Sequence, residues 1–155
     1  MKGMDREQRQ KLRQESAILM AMNHPNIVQF ERAYKDKKDN WNIVMEFMDG
    51  GTLEEAIDSR KKRSIYFSED EILDYFTQIC LAVKHCHDRK VLHRDLQDSN
   101  ILLSSTSNVI KLGDFSISKV LQDLKEKTTT LVGSPCGMAP EVLAGKPYNA
   151  KSDIW

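Results

Sequence analysis

Two short apolar runs, Ile101-Leu102-Leu103 and Val109-Ile110-Lys111-Leu112, flank a polar stretch over residues 104–108. Apolar run, polar connection, apolar run predicts a hairpin of two strands, and a hairpin brings whatever borders it to one end. Those bordering residues are Asn100, just before the first run, and Asp114, just after the second. A carboxamide and a carboxylate gathered there are oxygen donors suited to one hard cation such as Mg2+. Upstream the chain reads His93-Arg94-Asp95-Leu96-Gln97-Asp98-Ser99-Asn100 and follows directly on the apolar run Lys90-Val91-Leu92. It adds a second carboxylate and a guanidinium to the same neighbourhood. Phosphoryl transfer needs such a set: an acid to orient the attacking hydroxyl, and oxygen ligands that hold the metal on the phosphates.

The rest of the chain predicts mixed secondary structure. Residues 6–22 are rich in good helix formers, and Leu12, Glu15, Leu19 and Met22 recur on one helical face. Asn23-His24-Pro25-Asn26 ends that helix, since the residue before proline avoids the helical region. Ile27-Val28-Gln29-Phe30 and Asn42-Ile43-Val44-Met45, separated by a polar loop over 35–40, read as an antiparallel strand pair. Gly50 and Gly51 then mark a flexible break. Thr52-Leu53-Glu54-Glu55 and Ser68-Glu69-Asp70-Glu71 are capping boxes, each opening a helix. The second helix carries a stripe of Ile72, Tyr75, Phe76, Ile79, Val83 and Cys86, running to about His87. Residues 114–141 hold few apolar side chains, and a long segment of that kind inside a compact domain is functional or mobile.

Composition excludes several classes. With 23 basic and 23 acidic residues the formal charge is zero, which gives no reason to expect nucleic acid or an anionic membrane as partner. The basic run Arg60-Lys61-Lys62-Arg63 reads as a solvated helix end or loop. No apolar stretch approaches the roughly 20 residues of a membrane span, and no signal segment opens the chain. Cys80, Cys86 and Cys136 are odd in number and form no Cys-x-x-Cys pair, so they read as reduced thiols of a cytosolic or nuclear protein. Cys80, His85, Cys86 and His87 have the composition of a metal site, but both cysteines are read as lying on the apolar stripe, which favours packing.

The ordered set His-Arg-Asp-Leu-x-x-x-Asn, Asp114-Phe115 plus a small residue, and Ala139-Pro140-Glu141 resembles the protein kinase family. His24-Pro25-Asn26-Ile27-Val28, His87-Asp88-Arg89-Lys90, Lys146-Pro147-Tyr148-Asn149 and Lys151-Ser152-Asp153-Ile154-Trp155 are similar to the NIMA-related serine/threonine group. The resemblance implies an α+β, protein-kinase-like fold within residues 1–155. Residues of about 4–45 would be a partial small lobe, with helix C and two or more antiparallel strands. Residues 46–51 would be the hinge, and 52–155 the start of the mainly helical large lobe, with an activation loop at 114–141. It also implies roles. Asp95 is the catalytic base, assisted by Arg94 and Asn100, while Asn100 and Asp114 are Mg2+ ligands. Glu46 and Met48 hold the adenine edge through their backbones, Met45 is the gatekeeper, and Leu102 and Asp114 border the nucleotide. Glu15 is the helix-C glutamate. Arg94 pairs with a phosphorylated activation-loop threonine, with Thr130 the candidate, and Ser134 shapes the substrate site. Asp153 steadies the catalytic loop. The implied partners are ATP with Mg2+ and a protein carrying Ser or Thr, with no nucleic acid and no membrane. The implied compartment is cytoplasmic, with nuclear or cytoskeletal association as variants.

Departures from the family pattern carry expectations of their own. No Gly-rich phosphate loop or Val-Ala-Ile-Lys strand is present, and the chain stops at Trp155. The expectation is a kinase domain incomplete at both ends and weak in activity. Gln97 stands where such kinases usually carry a lysine, Ser116 replaces a glycine, and Cys136-Gly137 replaces a tyrosine pair. The competing reading is a pseudokinase or protein-interaction fragment.

Overall fold

The computed structural model describes residues 16–37, 40–116, 118–121, 128 and 137–155. Glu15, Thr130, Ser134 and Cys136 lie outside the described residues.

Residues 16–21 are helical (α1), and Ile18, Leu19 and Met22 are almost fully buried. Strands β1 (Phe30–Lys35) and β2 (Trp41–Met45) follow and pair antiparallel. The strand pair read from the sequence is therefore real, but its first member is displaced. Ile27 and Val28 precede β1 and are buried, and Ile27 bridges Leu112 in parallel fashion. Their β-branched side chains signal burial as much as strand; here they are buried beside Leu112 of the hairpin.

Helices α2 (Leu53–Lys62) and α3 (Glu69–Asp88) open on the two expected capping boxes. Thr52 Oγ1 accepts from Glu55 N–H at 3.1 Å, and Glu55 accepts in return from Thr52 N–H at 2.9 Å. The Ser68–Glu71 pair repeats the arrangement, satisfying amides that a helix start otherwise leaves unpaired. Arg60, in the last turn of α2, clasps Glu71 through both oxygens and lies 3.8 Å over the Phe67 ring.

Strands β3 (Val91–Leu92), β4 (Ile101–Leu103), β5 (Ile110–Leu112) and β6 (Lys119–Val120) form two further pairs, β4 with β5 and β3 with β6. In β4 and β5 the side chains of Ile101, Leu103, Ile110 and Leu112 enter the core, while Leu102 and Lys111, cross-strand partners, occupy the opposite face. The core joins this hairpin to Ile18, Leu19 and Met22, to Ala82, Val83 and Cys86 of α3, and to Phe115. A second cluster sets Leu92 and Leu121 against Ala139, Val142 and Tyr148. It is carried by the short helix α4 (Pro140–Leu143), whose first position is a proline that needs no donor.

Two expectations are corrected. On α3, Tyr75, Ile79, Val83 and Cys86 face the core, but Ile72 and Phe76 are exposed and so is Cys80. At 100° per residue Cys80 sits well off the arc centred on Tyr75, Ile79 and Cys86. Ile72 lies in the first turn of the helix. Of the two cysteines on this helix, only Cys86 packs as predicted. Nor is the segment 114–141 structureless throughout: β6 pairs with β3, Leu121 N–H donates to Lys90 O at 2.7 Å, and Thr128 exchanges two 2.8 Å backbone bonds with Tyr148.

Candidate active site

The β4–β5 hairpin sets the geometry. Ile101 pairs with Leu112, so Asn100 and Gly113 stand opposite one another at its open end, and Gly113 N–H donates to Asn100 O at 2.9 Å. Asp114 follows with φ of 53°, a left-handed conformation that turns the chain sharply after the strand. Its exposed carboxylate accepts from Ser116 N–H at 3.1 Å. The positive φ falls on Asp114 itself and not on Ser116, so a side chain at 116 is accommodated.

Asn100 closes the loop from the other side. Its Nδ2 donates to Asp95 Oδ2 and to Asp95 O, both at 2.9 Å. Gln97 Nε2 donates to the same Asp95 Oδ2 at 3.0 Å. Two neutral amides therefore hold one oxygen of the Asp95 carboxylate. With its amide nitrogen engaged, Asn100 keeps its carbonyl oxygen as the remaining group, an oxygen donor like Asp114. Both donors suit a hard divalent cation.

The loop is braced from beneath. Asp153, with a side chain only 4% exposed, accepts from His93 N–H at 2.9 Å, from Arg94 N–H at 2.8 Å, and meets His87 Nε2 at 2.8 Å. Arg94 is left-handed, with φ of 71°, a conformation costly for a long side chain unless its surroundings enforce it. His93 is buried. It donates from Nε2 to Gly113 O at 2.9 Å, accepts at Nδ1 from Asp95 N–H at 3.3 Å, and meets the Phe115 ring edge-on at 4.9 Å. Burial pushes its pKa down, against the bond to Gly113, which fits a neutral imidazole with its proton on Nε2. The imidazole thus ties the Asp95 loop to the residue preceding Asp114.

Of the residues predicted from sequence, Asp95, Asn100 and Asp114 lie at this end of the hairpin, with Arg94 directly before Asp95 in the loop. Arg94 Nη1 also reaches the Tyr148 hydroxyl at 3.5 Å. Leu102 lies beside Gly113 on the outer face of the hairpin. Glu46 and Met48 occupy the connection after β2, and that connection docks onto β4: Gly50 N–H donates to Leu103 O and Leu103 N–H to Gly51 O, each at 2.9 Å. The glycines, read as a flexible break, are instead a point of close approach. A Cβ on Gly50 would lie 2.6 Å from Leu103 O, and Gly51 needs φ of 74°. Met45 is exposed. The Cys80, His85, Cys86, His87 set does not converge: Cys80 is exposed, Cys86 buried, His85 stacks with His24 at 4.8 Å and His87 engages Asp153.

Sequence reasoning missed three contacts at the site: Gln97 on Asp95, Lys111 on Glu46 with Nζ 2.7 and 2.8 Å from its two oxygens, and Asp49 accepting from Ser105 N–H at 2.9 Å. The outward register of Lys111 in the hairpin was the one available signal for the second.

A profile of the protein kinase domain matches residues 1–155, so the chain belongs to the protein kinase domain family. Its relatives include the mouse serine/threonine-protein kinase Nek1, 46% identical over 98% of this chain, and the human Nek5, 44% identical over 96%. The zebrafish Nek8 is 43% identical over 98% of the chain. The resemblance to NIMA-related kinases is thereby borne out. The chain spans 12% of the length of that Nek1 and 21% of Nek5 and of Nek8. Among the described residues no helix is long and apolar enough to cross a membrane.

Proposed function

We propose that this chain carries the catalytic-loop half of a serine/threonine kinase site, transferring the ATP γ-phosphoryl group to a protein hydroxyl. The observation that supports it most is the convergence of Asp95 and Asn100, bonded at 2.9 Å, with Asp114 across one Gly113–Asn100 hydrogen bond. Asp95 accepts the proton of the attacking Ser or Thr hydroxyl as its oxygen forms a bond to the γ-phosphorus and the bond to the ADP oxygen breaks. Asn100 and Asp114 would hold Mg2+, which neutralises charge on the phosphates. The Glu46 and Met48 backbones would meet the adenine edge, with Leu102 beneath it, and Arg94 would receive an activation-loop phosphate, for which Thr130 is the proposed acceptor. Glu15 keeps its proposed role as the helix-C partner of a phosphate-binding lysine.

Gln97 favours a second reading. An amide, not an ammonium, stands 3.0 Å from Asp95, so no cation at 97 offsets charge on the transferring group. A pseudokinase or interaction fragment would keep the surface without turnover. Labelled γ-phosphate transfer from Mg-ATP to a generic Ser/Thr protein, with Asp95→Asn beside wild type, separates the two. Transfer that the variant lowers at least about 100-fold supports the enzyme. Wild-type transfer no greater than the variant's supports the fragment.

A further inference from the structure

Glu46 follows the last residue of β2, and Lys111 lies on the outer face of β5, three positions before Asp114. Between them runs the 26–29 segment, which bonds to both sides. Val28 N–H donates to Leu112 O at 3.0 Å and Leu112 N–H to Asn26 O at 2.9 Å; on the other side Glu46 N–H donates to Gln29 O at 3.0 Å. Over this segment Lys111 Nζ reaches both Glu46 oxygens, at 2.7 and 2.8 Å, and Gln29 N–H donates to Glu46 Oε1. The two side chains are only 17% and 25% exposed, unlike a freely solvated surface pair. The carboxylate thus joins three elements at once: the connection after β2, the segment after α1, and the strand that delivers Asp114.

We propose that the Glu46–Lys111 pair is a strap that sets the adenine-facing connection relative to the metal-binding end of the hairpin. Both side chains act by positioning, through the Glu46–Met48 backbone and Asp114, and neither side chain touches the nucleotide. This rests on the nucleotide site proposed above. Without the strap, the backbone at 46–48 and the carboxylate at 114 would be linked less directly, through separate bonds to the 26–29 segment and through the Asp49–Ser105 and Gly50–Leu103–Gly51 bonds further along. Small misplacements of binding groups cost large factors in productive geometry.

The test uses the whole chain with Lys111→Met and Lys111→Arg. Hydrogen exchange at the 46–51 amides is measured without nucleotide, and Mg-ATP affinity by titration. Lys111→Met is expected to speed exchange at 46–51 and weaken Mg-ATP about tenfold, raising the KM for ATP while leaving kcat near wild type. Lys111→Arg, which keeps a bidentate cation, is expected to restore both. Wild-type exchange and affinity in Lys111→Met, with wild type itself binding Mg-ATP, would overturn the strap alone. Failure of wild type to bind Mg-ATP would overturn the nucleotide site, and the strap's role with it.

Discussion

Asp153 is the point at which one substitution should do most to the catalytic loop. Its carboxylate accepts from the backbones of His93 and Arg94 at 2.9 and 2.8 Å and meets His87 Nε2 at 2.8 Å. Asp153→Ala leaves two backbone donors without that acceptor and releases Arg94 from a φ of 71° that the carboxylate helps enforce. Hydrogen bonds to a charged group contribute roughly 1.5–3 kcal/mol each, so losing the two backbone bonds should cost about 3–6 kcal/mol. Asp153→Asn keeps one oxygen acceptor and turns an NH2 towards the other donor, so it should cost about half as much. Since domains are stable by only about 5–15 kcal/mol, the alanine variant should be close to unfolding. Urea unfolding of both variants, followed by far-UV circular dichroism, gives the two differences. A loss under about 1 kcal/mol for Asp153→Ala, or an asparagine variant less stable than the alanine one, would refute the bracing role.

Gly50→Ala should destabilise the chain by about 1–3 kcal/mol in the same assay, because the new methyl group meets the backbone of β4 and not a movable side chain. The Arg60 guanidinium, and next the Ser68 amide, hold the Glu71 carboxyl at a pKa of about 2, below its ordinary 4.5. That depressed pKa contributes stability present above pH 4.5 and lost as pH falls towards 2. The Tm gap between wild type and Glu71→Gln should therefore close over that window, and a gap unchanged down to pH 2 would contradict it. Burial, reinforced by Asp153, pushes the Cys86 thiol up to about 12, whereas Cys80 is exposed. Iodoacetamide at pH 8 should label Cys80 in the folded chain and Cys86 only after denaturation, as read by peptide mass spectrometry.

What the sequence discloses is the local part of this architecture. Ser68-Glu69-Asp70-Glu71 marks the start of α3 because both halves of a capping box lie within one turn. Ile101-Leu102-Leu103 and Val109-Ile110-Lys111-Leu112 predict their hairpin because the turn between them is short. The convergence of Asn100 and Asp114 follows from that hairpin. Contacts set by distant segments are not legible in this way. Nothing local tells that Ile27 and Val28 lie against Leu112 and not within β1, or that Gly50 is small because β4 approaches it. The exposed Cys80 and Phe76 show how an apolar count overstates a stripe when only part of the arc has a neighbour. Left-handed Arg94 and Asp114 are equally silent, since neither residue type favours that conformation strongly enough to signal it. They are imposed by Asp153 and by the turn after β5.

The most direct test of the proposed nucleotide site is the thermal stability of the 155-residue chain with and without Mg-ATP, beside Asp114→Asn. The account predicts a cooperative melt that Mg-ATP shifts upward in wild type and leaves in place in the variant, because ligand binding to the folded state alone raises its stability. A wild-type melt indifferent to Mg-ATP, or one shifted equally in Asp114→Asn, would contradict it.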